Sequence, residues 1–335
     1  MLTMQQNLVA KYSLFIALLL SAVASMFAEP VKDGLDLGQK QLPDITLSVS
    51  TSLGRLYGAA QEFVYVDGYK LSELDWSFKP MVYWGTRLAL TGFGGGFEAS
   101  IDFKSGFNGF SGTITDSDFL NGDGVKTHYS IHDCYTERAI LFDLKAGWAY
   151  KASPAITLTF KGSVMAMDFK WSARDGYLQY PPELSSPYTP WSANVAKDGI
   201  VGTGILYTQN YLALGAALGL RIIIDNGWEA MVGLGYSPLV YCNDVDNHLF
   251  TGVDYYETMS GGFIIEPEAA LSFAINPKSR LILDASYRLA KGLVGDTKMI
   301  YTRAHVNPGT TYIFKNGGGA AYYALDMALS YELSL

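Results

Sequence analysis

From Ile45 onward the chain alternates apolar and polar residues with period two rather than at helical spacing. The C-terminal stretch shows it most clearly. Ala321, Tyr323, Leu325, Met327, Leu329, Tyr331, Leu333 and Leu335 share one face, while Tyr322, Ala324, Asp326, Ala328, Ser330, Glu332 and Ser334 share the other. Apolar outside and charged inside is the pattern of a strand that crosses a membrane in a barrel, inverted relative to a soluble sandwich. In 280–291, Arg280, Asp284, Ser286 and Arg288 oppose Leu281, Leu283, Tyr287 and Leu289. In 138–150, Ile140, Phe142, Leu144, Trp148 and Tyr150 oppose Glu137, Asp143 and Lys145.

About ten such runs occur, at 44–66, 69–90, 95–112, 136–151, 154–173, 200–224, 227–243, 259–276, 279–297 and 318–334. Each is near or above the roughly 9–11 residues that cross a bilayer as a tilted strand. Turn-forming segments at 92–96, 152–154, 225–227 and 276–278 alternate with longer connections at 113–135, 174–199, 244–258 and 298–317. The expectation is all-β: a ten-stranded antiparallel transmembrane β-barrel over 44–335, with short periplasmic turns and long extracellular loops. In the seventh strand the lipid-facing set Trp228, Ala230, Val232, Leu234 and Tyr236 is even-numbered, and so are Asp244, Asp246 and His248. One face cannot serve both sets, so a β-bulge is predicted between Tyr236 and Asp244, beside Pro238.

Composition agrees with this architecture. Hydrophobic residues make up 49% of the 335, aromatic residues 14% and charged residues only 17%. After the N-terminus no apolar run reaches the roughly 18–20 residues of a spanning helix. Residues 1–24 read as a secretory signal, with Lys11, the apolar stretch Tyr12–Phe27 and the small-x-small site Ala22-Val23-Ala24; cleavage as late as Ala28 fits too. Residues 25–43 follow as a short polar periplasmic segment. A net charge of −8 argues against nucleic acid and leaves room for cationic peptides. Cys134 and Cys242 are too few for a disulfide scaffold, and they fall on strands that are not neighbours, which argues against a bridge. Four histidines without paired spacing argue against zinc, and no cofactor is implied.

Two polar clusters stand where strands approach the outer connections. In Asp116-Ser117-Asp118 the carboxylates are two apart and project to one side of an extended chain. Continuing the inward parity of Glu98, Ser100 and Asp102 turns that side to the barrel axis. In Asp244-Val245-Asp246-Asn247-His248 the three ionisable residues again share a face. Taken singly, each motif reads equally as solvated turn residues or a calcium loop. Glu62 has the inward parity of Thr46, Ser48, Ser50 and Ser52, and on the residues alone it reads as the partner of an internal Lys or Arg.

The stretch Gln61–Trp76, QEFVYVDGYKLSELDW, resembles the first hairpin of the omptin family of outer-membrane proteases. Asp116-x-Asp118, Ser130-Ile131-His132, Phe142-Asp143-Leu144, Ser172-Ala173-Arg174-Asp175-Gly176 and Asp246-x-His248 continue the resemblance to the end of the chain. It implies an endopeptidase in which His248, oriented by Asp246, activates a water opposite Asp116 and Asp118. It also implies that Glu62 and Asp244 hold the basic residue before the cut bond of a polypeptide substrate, on a monomeric barrel facing outward. Some positions depart from the family. Phe119 stands where a Trp commonly follows the Asp pair. Ala166 and Asp168 stand where the family has an acid and an Arg for lipid A, which argues against a lipopolysaccharide requirement beyond embedding in outer-membrane lipid. The competing readings are an omptin-shaped adhesin or receptor, and a small porin.

Overall fold

A strand in lipid must pair both of its edges, so alternating strands persist in a membrane only as a closed ring. The computed structural model describes residues 45–335 except 93–95, 226 and 304. The signal-like segment and the polar segment after it lie outside the described residues. The ring runs through β1 (Thr46–Val66), β2 (Tyr69–Gly92), β3 (Phe97–Gly106) with β4 (Gly109–Asp118), β5 (His128–Lys151) and β6 (Ile156–Gln179). It continues through β8 (Thr203–Asp225), β9 (Trp228–His248), β10 (Val253–Ser260) with β11 (Phe263–Asn276), β12 (Ser279–Tyr301) and β13 (Thr311–Ser334). A two-residue strand, β7 (Asp198–Gly199), adds to β6 outside the ring. All pairings are antiparallel, and β13 closes on β1 with Leu329 opposite Leu53. The ten expected strands are present, the third and eighth each built of two pieces.

The strands run further outward than the alternation indicated. β4 reaches Asp118, β5 begins at His128 and β9 ends at His248, so both acid clusters sit on strands rather than in loops. At about 3.3 Å per residue, the 24 residues of β2 extend about 80 Å, or about 55 Å of height at a tilt of about 45°. The apolar band of such barrels is about 25 Å tall, so roughly half of the barrel stands clear of lipid. Exposed Leu53, Trp84, Leu88, Leu218, Val232, Leu234, Leu283 and Leu329 mark the band. Above it the outer wall turns polar, with Lys79 exposed and Arg138 paired to Asp168 at 2.8 Å. Without lipid on one face, the code of alternating apolar residues lapses, and that is why the outer strand ends were illegible.

Between the two halves several strands change parity. On β9 the register against β8 slips by one between Leu214–Leu239 and Ala216–Tyr236, leaving Ser237 and Pro238 opposite Gly215 alone. This is the bulge predicted beside Pro238: Trp228, Val232 and Tyr236 face out below it, and Cys242, Asp244 and Asp246 are buried inside above it. Similar single-residue slips lie at Lys79-Pro80 on β2 and at Glu137 on β5. The last corrects one expectation. Glu137 lies not on the inner face with Asp143 and Lys145 but on the outer one, where it accepts from Ser172 Oγ at 2.6 Å and pairs with Arg174.

Below the bulges the interior charges stand in opposite-sign pairs, since an uncompensated buried charge costs several kcal/mol. Arg288 reaches Glu266 at 2.9 Å and Asp143 at 3.1 Å, Lys145 reaches Glu268 at 2.8 Å, and Lys161 and Arg221 clamp Glu98 at 2.7 and 2.6 Å. These groups border a cavity of about 350 Å³. Above it Trp76, Phe78, Phe169, Trp171, Tyr207 and Tyr322 stack into a fully buried floor, with Trp76 and Tyr207 4.9 Å apart and Phe169 and Trp171 5.2 Å apart. Cys134 and Cys242 are free and buried on the non-adjacent β5 and β9.

Deleting Pro238 removes the extra residue. The outer half of β9 is then expected to turn over, because alternation has a period of two. Cys242 would face outward and react with a bulky maleimide under native conditions, whereas the wild-type thiols react only after unfolding. Cys242 still protected in a folded deletion variant would show that the bulge does not set the facing of β9.

Candidate active site

The outer mouth is built from two facing walls. On one, β4 lies between β2 and β5, with Asp116 opposite Leu74 and Ser130, and Asp118 opposite Ser72 and His128. Paired residues of adjacent strands share a face, so all of these side chains turn inward. Ser72 Oγ donates to Asp116 at 2.9 Å. On the other wall, β9 lies between β8 and β10. Asp246 is opposite Tyr207 and Tyr255, and Asp244 is opposite Gln209 and Glu257. Glu62 joins from β1, beside Leu74.

His248 Nε2 lies 2.6 Å from Asp246 Oδ2. A carboxylate can only accept, so Nε2 carries the hydrogen and Nδ1 is the nitrogen left to take a proton. Burial opposes a charge on the imidazole, but Asp246 beside it, with Asp116 and Asp118 across the mouth, pushes His248 up to about 9. Burial, and then the neighbouring Asp116, push Asp118 up to about 8. Burial raises Asp116 as well, with the Ser72 hydroxyl and His248 pulling the other way. The two acids and the base thus act on one another's charge across the mouth.

Glu62, Asp244 and Asp246 are each 1% exposed, deep enough that an unpaired charge is costly. Tyr207 OH donates to Asp244 Oδ2 at 2.9 Å, but Asp244 Oδ1, Asp246 Oδ1 and Glu62 Oε2 have no hydrogen-bond partner among the described residues. Glu62 is raised by burial and by Asp246, Asp244, Glu257 and Asp116. Its neighbourhood is acidic, and no Lys or Arg pairs with it among the described residues.

The six residues singled out from the sequence form one electrostatically connected group. Others were missed. Ser72 sits within the hairpin motif, where only its pairing with Asp118 reveals a role. Glu257 lies on β10, outside the strand that alternation placed at 259–276. His132 is placed by the Asp175 carbonyl, 2.6 Å from its Nδ1, with Ser130 Oγ 3.1 Å from its Nε2. Tyr180 and Tyr188 pack edge-on against His128 at 4.7 and 4.9 Å, beside the Asp pair. They belong to the third outer connection, which carries no periodic signal.

The crystal structure of the outer membrane protease OmpT from Escherichia coli is similar to this chain, with a TM-score of 0.78 at 18% identity, over 90% of this chain and 99% of that one. OprG from Pseudomonas aeruginosa (8% identity, 88% and 97% covered) and the translocator domain of the autotransporter NalP from Neisseria meningitidis (12%, 93% and 95%) overlap far more loosely, with TM-scores of 0.35 and 0.32. No curated protein sequence matches the chain. The model of the Omptin family matches residues 44–333, which is the whole of the ring. The chain therefore belongs to the Omptin family, with the fold of an outer-membrane β-barrel.

Proposed function

We propose that the barrel is a cell-surface endopeptidase that cuts polypeptides beside basic residues, by direct attack of a water held between His248 and the Asp116/Asp118 pair. The observation that carries this reading is the meeting of the two clusters, with His248 bound to Asp246 at 2.6 Å and acted on by both acids opposite. The water oxygen bonds to the scissile carbonyl carbon while its proton passes to His248 Nδ1. Asp246 stabilises the imidazolium that results. The proton on Asp118 is donated to the oxyanion as it forms. Collapse of the tetrahedral intermediate breaks the C–N bond: the hydroxyl proton returns to Asp118 as the new carbonyl forms, and the imidazolium protonates the departing amine, so no acyl-enzyme forms. Glu62 and Asp244 receive the basic side chain through charge-assisted hydrogen bonds. The active site opens to the extracellular side, and the barrel acts as a monomer in outer-membrane lipid. Lipopolysaccharide has no part in the scheme: Asp168 is engaged by Arg138, and Ala166 offers no charge.

The pH profile tests this assignment. His248 accepts a proton only when neutral, so kcat/KM rises with pH toward about 9. Asp118 donates only while protonated, so kcat/KM falls as pH passes about 8. The productive form is then a minority species, and the profile is a bell with its summit between those values, whose limbs belong to the cluster as a whole. A profile that is flat from pH 6 to 9, or one falling through pH 7, would reject the roles given to the two groups.

A further inference from the structure

β10 contributes an acid to the same depth of the barrel as Glu62 and Asp244. Glu257 is paired with Asp244 on one side and Thr297 on the other, and it is 2% exposed. Its Oε1 accepts from Thr297 Oγ1 at 2.7 Å, and its Oε2 has no hydrogen-bond partner among the described residues. Asp244 Oδ1 and Glu62 Oε2 are in the same condition. Three strands, β1, β9 and β10, thus each bring one free carboxylate oxygen to the pocket, and Glu257 acts electrostatically on both of the others.

The opposite strand is shaped to receive them. Glu62 is paired with Ala320 on β13, and Gly318 lies two residues along on the same face. A Cβ on Gly318 would stand 2.4 Å from Glu257 Oε2 and 2.5 Å from its Cδ. The Glu257 carboxylate therefore occupies the place a side chain would take, lying across the backbone of β13 toward Glu62. Gly318 carries no left-handed φ, so the turn chemistry that usually calls for glycine is not what places it here. Space for the acid is.

We propose that Glu257 is a specificity-determining residue that, with Glu62 and Asp244, makes a three-carboxylate pocket for a guanidinium and so sets arginine above lysine before the cut bond. This rests on the reading of Glu62 and Asp244 as the pocket for a basic side chain. A guanidinium spreads five N–H donors over three nitrogens in one plane, and three acceptors on three strands can each engage a different part of it. An ammonium is a compact point with three donors on a flexible stem. It satisfies one or two acids and leaves the third buried without a partner, which favours the guanidinium by the penalty of that unpaired group.

Three peptides that differ only in Arg, Lys or citrulline before the cut bond test this on the refolded full-length barrel. The wild type is expected to favour Arg over Lys by roughly tenfold or more in kcat/KM, and Glu257→Gln to reduce that ratio to roughly threefold or less, through the KM of the Arg peptide. Folding is checked by the heat-dependent gel mobility of the barrel. If Glu257→Gln does not fold, Gly318→Ala decides instead: it keeps the acid but displaces its carboxylate, and the same fall in ratio is expected. An unchanged Arg-to-Lys ratio in the deciding variant, with both cations still preferred to citrulline, overturns the role of Glu257 alone. A wild type that cleaves the citrulline peptide as well as the Arg peptide overturns the acidic pocket, and this proposal with it.

Discussion

Replacing His248 with alanine is expected to lower kcat about a thousandfold or more, within the roughly 10²–10⁴-fold that a positioned general base supplies. Its ring lies at the mouth with the side chain 28% exposed, so the barrel should still fold and keep its heat-dependent mobility. Asp246, 2% exposed at its side chain, loses its donor in this variant and bears part of the effect. The pair is proposed to act as a unit, so the double variant His248→Ala/Asp246→Asn should fall no further than His248→Ala alone. Losses that multiply would show separate roles, and wild-type turnover in His248→Ala would remove the mechanism. The measurement is steady-state cleavage of a fluorogenic peptide by each refolded variant.

Glu62→Gln is expected to weaken cleavage of an arginine peptide by about 30- to 5,000-fold in kcat/KM, and that of the matched citrulline peptide by less than about threefold. The estimate follows from the roughly 2–5 kcal/mol lost when one partner of a buried, hydrogen-bonded charge pair is removed. Glutamine keeps the shape and one acceptor but discards the charge, so the contrast between substrates isolates the electrostatic part. Asp244→Asn should act in the same direction and less cleanly, because the Tyr207 hydroxyl also depends on that carboxylate. Equal losses on both peptides would make Glu62 a structural residue.

Much of the barrel is legible because facing inside a strand is a local property. The odd set from Ala321 to Leu335 and its even partners could be assigned from neighbours alone, and β13 obeys the assignment over its whole length below Tyr322. The bulge at Pro238 was legible for a related reason: two sets of even residues made incompatible demands on one face, and only an extra residue reconciles them. The inward turn of Glu62 followed from the same parity, and that of Asp116 and Asp118 held although the strand is interrupted after Gly106 and slips between Phe110 and Gly112. What failed did so where that rule lapses. Glu137 appeared to continue the inner row of Asp143, but the slip between Thr136 and Arg138 carries it outside, and nothing local marks the slip. The outer ends of β4, β5, β9 and β10 face water on one side and cleft on the other, so polar residues occur on both faces and the strands read as loops.

By itself the sequence determined the class, the approximate number of strands, their facing within the membrane band and the identity of the residues able to do acid–base work. Tertiary structure alone decided which of them meet. Ring closure brings Glu62 on β1 to Asp244 on β9 and Glu257 on β10, strands far apart in the chain, and the register of each strand with its neighbours sets their common depth. It also decided that the inner charges below the floor are paired, as Arg288 is with Glu266, while Glu62, Asp244 and Glu257 above it have no cationic partner among the described residues. Composition counts both groups alike. Whether a buried carboxylate is a structural partner or a free binding group depends on what stands across the barrel from it. That distance spans the whole fold, and no periodicity along the chain encodes it.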